Sequence, residues 1–111
     1  MGLEVFKTRE CSWDGLAFTL YLDQPLKQVE LENGLRELIE AWFLVGLYGG
    51  FGGYFHHMSS IGFDENLVEW QVDMGSSSTQ ALDVLINCLE TFERDNDVTM
   101  EKLVLGLETV E

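Results

Sequence analysis

Leu67-Val68-Glu69-Trp70-Gln71-Val72-Asp73-Met74 is the stretch on which the fold turns. Val68, Trp70, Val72 and Met74 fall on one side of a period-two chain and Glu69, Gln71 and Asp73 on the other. The segment therefore predicts a strand with one face in a core and one in water. Such a sheet needs cover on its dry side, and helices with a single apolar stripe supply it.

Downstream, Ser77 with Gln80 three residues later has the form of a capping box. Ala81, Leu85, Cys88 and Phe92, joined by Leu82 and Leu89, then make the apolar stripe of a helix, with Asp83, Asn87, Glu90 and Arg94 on the wet side. Arg94 to Asp97 is a polar exit, and Glu101 to Leu107 alternates again with Leu103, Leu105 and Leu107 inward. Upstream, Asp64-Glu65-Asn66 reads as a turn closing a strand over Tyr54 to Phe63.

Before that strand lies a helix from about Leu26 to Tyr48, with Leu31, Leu35, Leu38, Trp42 and Val45 as its stripe. Gly46, Gly49, Gly50, Gly52 and Gly53 end it, since an interior glycine costs roughly 1 kcal/mol against alanine. Leu16 to Leu22 is a strand with Leu16, Phe18, Leu20 and Leu22 on one face and Ala17, Thr19 and Tyr21 on the other. Asp14-Gly15 before it is a hairpin turn signal, which would pair this strand with a first one over Leu3 to Glu10.

The predicted fold class is α+β, a two-layer sandwich of a mainly antiparallel sheet of about five strands with two helices on one face. The last six elements resemble the split βαβ, ferredoxin-like order, with an extra N-terminal strand. At 111 residues the chain is expected to be one domain, residues 1–111, without repeat or linker.

Composition narrows function by exclusion. Hydrophobic residues make up 46% and charged residues 23%, so the chain folds, yet 20 acids against 6 Lys and Arg leave a net charge of −14. Nucleic acid and anionic membrane are poor partners for that charge. The imbalance is concentrated: residues 1–55 hold eight acids and four bases, residues 56–111 twelve and two. Met1 to Glu10 does not read as a secretory signal, so a cytoplasmic protein is expected. Ala41 to Phe63 is free of charge but holds six glycines and two histidines, which excludes a membrane span. Cys11 and Cys88 stand alone and are expected to be free, mostly buried thiols.

No motif carries chemistry. Adjacent residues of a strand point to opposite faces, so His56 and His57 cannot readily share a metal, although one of them near Asp64, Glu65 or Asp73 would suffice as a general base. Gly49-Gly50-Phe51-Gly52-Gly53 follows a helix and lacks the GK[ST] ending of a phosphate loop. Its glycines either let Phe51 fold into the core as a plug, the favoured reading, or hold it out as a partner anchor. Asp95-Asn96-Asp97 with Thr99 fails as a calcium loop because Met100 stands where glycine is needed. No metal or cofactor is implied.

The expected function is a non-enzymatic acidic module, of an inhibitor or immunity type, that engages a basic protein partner through Tyr21, Glu69, Gln71 and Asp73, with Phe51 as an anchor. The alternatives are a small-molecule-binding or enzymatic domain with a cleft lined by Trp42, Tyr54, His56, His57 and Trp70, and a self-associating homodimeric subunit.

Overall fold

A computed structural model describes residues 3–8 and 11–106 of the chain. The elements run β1 (Glu4–Lys7), β2 (Leu16–Leu22), α1 (Val29–Leu47), β3 (His57–Met58), β4 (Gly62–Asp64), β5 (Leu67–Asp73), α2 (Gln80–Asn96) and β6 (Met100–Leu105). The protein is α+β, with two helices and a mixed six-stranded sheet in the order β1-β6-β2-β5-β3, β4 also pairing with β5.

The alternation over Leu67 to Met74 is realised: Glu69 and Gln71 are exposed, while Val68, Val72 and Met74 are fully buried and Trp70 is 3% exposed. β2 is the partner that fixes the register, with Phe18 opposite Trp70, Leu20 opposite Val68 and Leu16 opposite Val72. Phe18 and Trp70 stack with ring planes 2° apart and centroids at 5.0 Å. From α1, Trp42 meets Phe18 edge-on at 5.6 Å and donates its indole N–H to the Ala81 carbonyl of α2 at 2.8 Å. That one residue ties the sheet and both helices to the core, and its buried donor is satisfied.

Several expectations are corrected. The Asp14-Gly15 hairpin does not form. Trp13–Gly15 is a single 3-10 turn, held because Trp13 accepts the Met74 N–H at its carbonyl and donates its indole N–H to the Ser77 carbonyl. Gly15 is not among the residues with positive φ that a tight hairpin turn requires. Both edges of β2 are taken, by β5 and β6, so β1 runs instead along the far side of β6, parallel to it, and the sheet is mixed with six strands. Arg9, Glu10 and Leu107, at the ends of the two expected strands, lie outside the described residues.

The single strand over Tyr54 to Phe63 is two short ones. Ser59 accounts for the break: its N–H bonds to the Gln71 carbonyl, but its hydroxyl, not its carbonyl, accepts the Gln71 N–H. The chain is thereby turned off the ladder before Gly62 rejoins it opposite Glu69. The Ser77–Gln80 capping box is also absent. Ser77 is buried and donates to the Met74 carbonyl, while the Ser78 hydroxyl accepts the Gln80 N–H.

In α1 the buried residues are Leu35, Ile39, Trp42 and Gly46, a stripe rotated from the one expected. Gly46 lies inside the helix, and the Phe55 ring occupies the place of its missing side chain: a Cβ there would sit 2.2 Å from that ring. The glycine is needed for close packing as much as for ending the helix. In α2, Ala81, Leu85, Leu89 and Phe92 are buried and Cys88 is only half-buried, as is Cys11; both thiols are free.

Candidate functional site

α1 carries two apolar lines. Beside the buried one, Leu31, Gly34, Leu38, Ala41 and Val45 recur at intervals of three and four, which places them along one side of the helix, and Tyr48 follows just past its end. Burial falls along this second line. Leu31, Gly34 and Leu38 are half-buried, whereas Ala41 is exposed, Val45 is 48% exposed and Tyr48 79%. Leu44 and Tyr54, at 51% and 58%, widen the exposed area at the C-terminal end.

The glycine-rich connection closes that end. The Gly50 N–H bonds back to the Val45 carbonyl at 2.8 Å, and a Cβ on Gly50 would lie 2.4 Å from the Val45 side chain. Gly49, at φ +88°, lies against the Tyr54 ring. The loop can hug the helix end only because these positions lack side chains.

The other wall is α2. Gly34 of α1 faces Phe92 near the end of α2, and Trp42 bonds to Ala81 near its start, so the two helices run antiparallel. Between them lies a groove of about 450 Å³ lined by Leu38, Val84, Cys88 and Phe92, with Asn87, Thr91, Asp95 and Asn96 at the rim. Its floor is apolar, and Asp95 is the one carboxylate among its lining residues, with Arg94 Nε 3.3 Å away. Arg36 is turned away, paired with Glu32, bonded to the Ile61 carbonyl and lying over the Phe63 ring.

The residues singled out from the sequence fall in three places. Tyr21, Glu69, Gln71 and Asp73 do share one face of the sheet, opposite the core; there Gln71 is paired with Ala17, Glu69 with Thr19 and Leu67 with Tyr21. Lys102 lies over the Tyr21 ring at 4.6 Å. Phe51 is not on a surface. It is 3% exposed and packed on Trp42 and Phe55, so it is the core plug and not an anchor.

The expected cleft is not assembled. Trp42 and Trp70 are core residues, whereas Tyr54, His56 and His57 are exposed. His56 Nδ1 lies 3.5 Å from Asp73 Oδ2, and His57 sits in β3 across from Asp73, near Asp14, Ser59 and Gln71. The segments around them are packed backbone on backbone: a Cβ on Gly53 would lie 2.0 Å from the Ser76 carbonyl oxygen, and one on Gly75 2.1 Å from that of Tyr54. The backbones thus form a clasp, and beside it a pocket of about 350 Å³ lies among Asp14, Gly15, His57, Ser59, Gln71 and Asp73. Among the described residues no three His, Cys, Asp or Glu side chains are grouped as a metal ion needs.

The sequence places Leu38 and Val45 in the core stripe, whereas in the structure Leu38 is half-buried and Val45 exposed. The signal was present in the second count, 31-34-38-41-45-48, which persists where the inward count is already complete.

Residues 52–111 match the profile of a protein family described as a protein of unknown function (DUF3531), a span that takes in β3 to β6 and α2. No curated protein matches the chain.

Proposed function

We propose that this chain, which belongs to the DUF3531 family of proteins of unknown function, is a non-enzymatic binding module that engages a basic protein partner. The observations that carry the reading are the net charge of −14, the exposed apolar side chains of Leu44, Val45 and Tyr48 at the C-terminal end of α1, and the groove in which Leu38 of α1 meets Val84, Cys88 and Phe92 of α2. Apolar contact supplies affinity, while the carboxylates of the chain raise the rate of encounter with a basic surface and discriminate against acidic ones. An inhibitor or immunity-type protein that covers a basic active site is one concrete form. A second copy is a poorer partner than a basic protein, because each copy brings a net charge of −14.

The architecture fits this role. The run β6-β2-β5-β3, with β4 on the same edge as β3, supports reading the fold as a ferredoxin-like two-layer sandwich in which β1 is an added edge. In that arrangement the outer side of the helical layer carries the groove. Among the described residues no helix is long and apolar enough to cross a membrane, and two free thiols suit a reducing cytoplasm.

The test is capture from native lysate by the whole chain and by Val45→Glu, at low and high salt. We expect a basic protein that is retained at low salt, released as screening rises, and not retained by the variant. Capture of the same proteins by both chains, or of acidic proteins, would sink the reading.

A further inference from the structure

We infer that β1 is a docking edge for a second copy of this chain: two β1 strands pair antiparallel about a twofold axis at Phe6, Val5 of each copy opposite Lys7 of the other, and join the two sheets into one. β1 stands at the end of the sheet and pairs only with β6 among the described residues. The Thr8 N–H bonds to the Leu105 carbonyl, and bonding residues alternate along a parallel ladder, so Glu4, Phe6 and Thr8 turn their backbone groups toward β6. Val5 and Lys7 turn theirs outward, and among the described residues the N–H and carbonyl of both are without a partner. Such an edge is a template for another strand. All of β1 is exposed, Val5 at 37% on the helical side and Phe6 at 49% on the open side of the sheet.

Three registers are open to two such strands, because residues facing each other across an antiparallel pair aim their backbone groups either both at the other strand or both away. Val5 opposite Val5 sets Lys7 against Leu3, whose N–H is already taken by the Glu90 carboxylate at 2.6 Å. Lys7 opposite Lys7 sets two like charges side by side. Val5 opposite Lys7 has neither fault. Each of its two pairs exchanges two hydrogen bonds, which satisfies all four outward groups of both strands, and the two Phe6 rings meet across the axis in the closer, non-hydrogen-bonded position.

Charge makes a second copy the occupant of this edge. A net charge of −14 sets whole chains against each other, but β1 and β6 hold two acids, Glu4 and Glu101, against two bases, Lys7 and Lys102, and so sum to zero. Two of the three lysines of the chain lie in these strands. Beside them is a cleft of about 1020 Å³ lined by Glu4, Glu90, Glu93 and Glu101. Lys7 is in register with Leu105, whose side chain is in the core, and so lies on the helical side. Opposite Val5 of the other copy it stands two residues from that copy's Leu3, where Glu90 is anchored, so its ammonium meets the anionic cleft, and the twofold axis repeats the exchange. Two exposed ion pairs do not offset the repulsion of the whole chains. The dimer therefore tightens as salt screens that repulsion, whereas a basic partner is released.

The experiment is sedimentation velocity on the whole chain across a concentration series at low and high salt, with hydrogen exchange followed at single amides. We expect a monomer–dimer equilibrium that tightens about tenfold or more from low to high salt, with exchange at Val5 and Lys7 slowing as the dimer forms. Lys7→Pro removes an outward N–H that serves nothing within the chain. Its monomer should keep its circular dichroism spectrum and thermal midpoint, while its dimer weakens about tenfold or more. With Cys11 and Cys88 changed to Ser, Phe6→Cys should cross-link the dimer on mild oxidation and Val5→Cys should not. A chain monomeric at every salt, a dimer that salt dissociates, a dimer that Lys7→Pro leaves intact, or equal cross-linking of the two cysteine variants overturns the inference. The basic-partner reading is separable: its capture is lost with Val45→Glu and kept with Lys7→Pro, the reverse of what the dimer shows.

Discussion

The two apolar lines of α1 are drawn from similar residues and end in different places. Leu35, Ile39, Trp42 and Gly46 are closed in by Phe18, Phe51, Phe55 and the start of α2, while Leu38, Ala41, Val45 and Tyr48 pass from half-buried to open along the same helix. The difference is not hydrophobicity but the presence of a partner surface. Trp42 is met by two rings within 6 Å and has its N–H satisfied. Val45 lies against the glycine connection at Gly50 and stays 48% exposed. One line holds the fold together, and the other stays partly open to solvent.

The largest test of this contrast is Trp42→Ala, which removes the ring at the centre of the inward line. It is expected to lower stability by about 3–5 kcal/mol, read from denaturant midpoints, and Trp70→Ala in β5 should fall in the same range. A loss near that of a surface substitution would mean the inward line is not the one supporting the core. Phe51→Ala comes next, at about 3 kcal/mol, and should weaken partner binding only as far as it unfolds the chain. An affinity loss with stability intact would return Phe51 to the surface.

Gly46→Ala sharpens the comparison from the other side. The added methyl meets the Phe55 ring, itself wedged against Trp42, Phe43 and Phe51, so a net cost of about 1–3 kcal/mol is expected although alanine is the better helix former. A stabilised variant would show that the ring can move aside. The smallest effects belong to the outward line and the wet sheet face. Val45→Ala and Glu69→Ala should each change stability by no more than about 0.5 kcal/mol, with Val45→Ala alone reducing partner affinity. Equal denaturation midpoints for Glu69→Ala and Trp70→Ala would contradict the register of β5.

Elements with a local signature were legible. Trp70 and Glu69 point to opposite sides because a strand alternates, whatever it pairs with, and Ala81, Leu85 and Phe92 share a side because a helix repeats every 3.6 residues. The candidate site was legible only in part. The intervals of Leu38, Ala41, Val45 and Tyr48 stand in the sequence, but a 3-4 count does not say which of two neighbouring lines faces inward.

The two helices, the inward faces of β2 and β5, and the anionic character of the chain could be read from the residues alone, since each depends on residues close to one another along the backbone. Only the tertiary structure decided the rest. β1 lies beside β6 because β5 and β6 already occupy both edges of β2. Ser59 breaks a strand because its hydroxyl reaches Gln71. Gly46 turns inward because Phe55, nine residues on, fills the space above it. Each of these depends on what a distant segment brings opposite a residue, and such pairings are fixed only when the chain closes on itself.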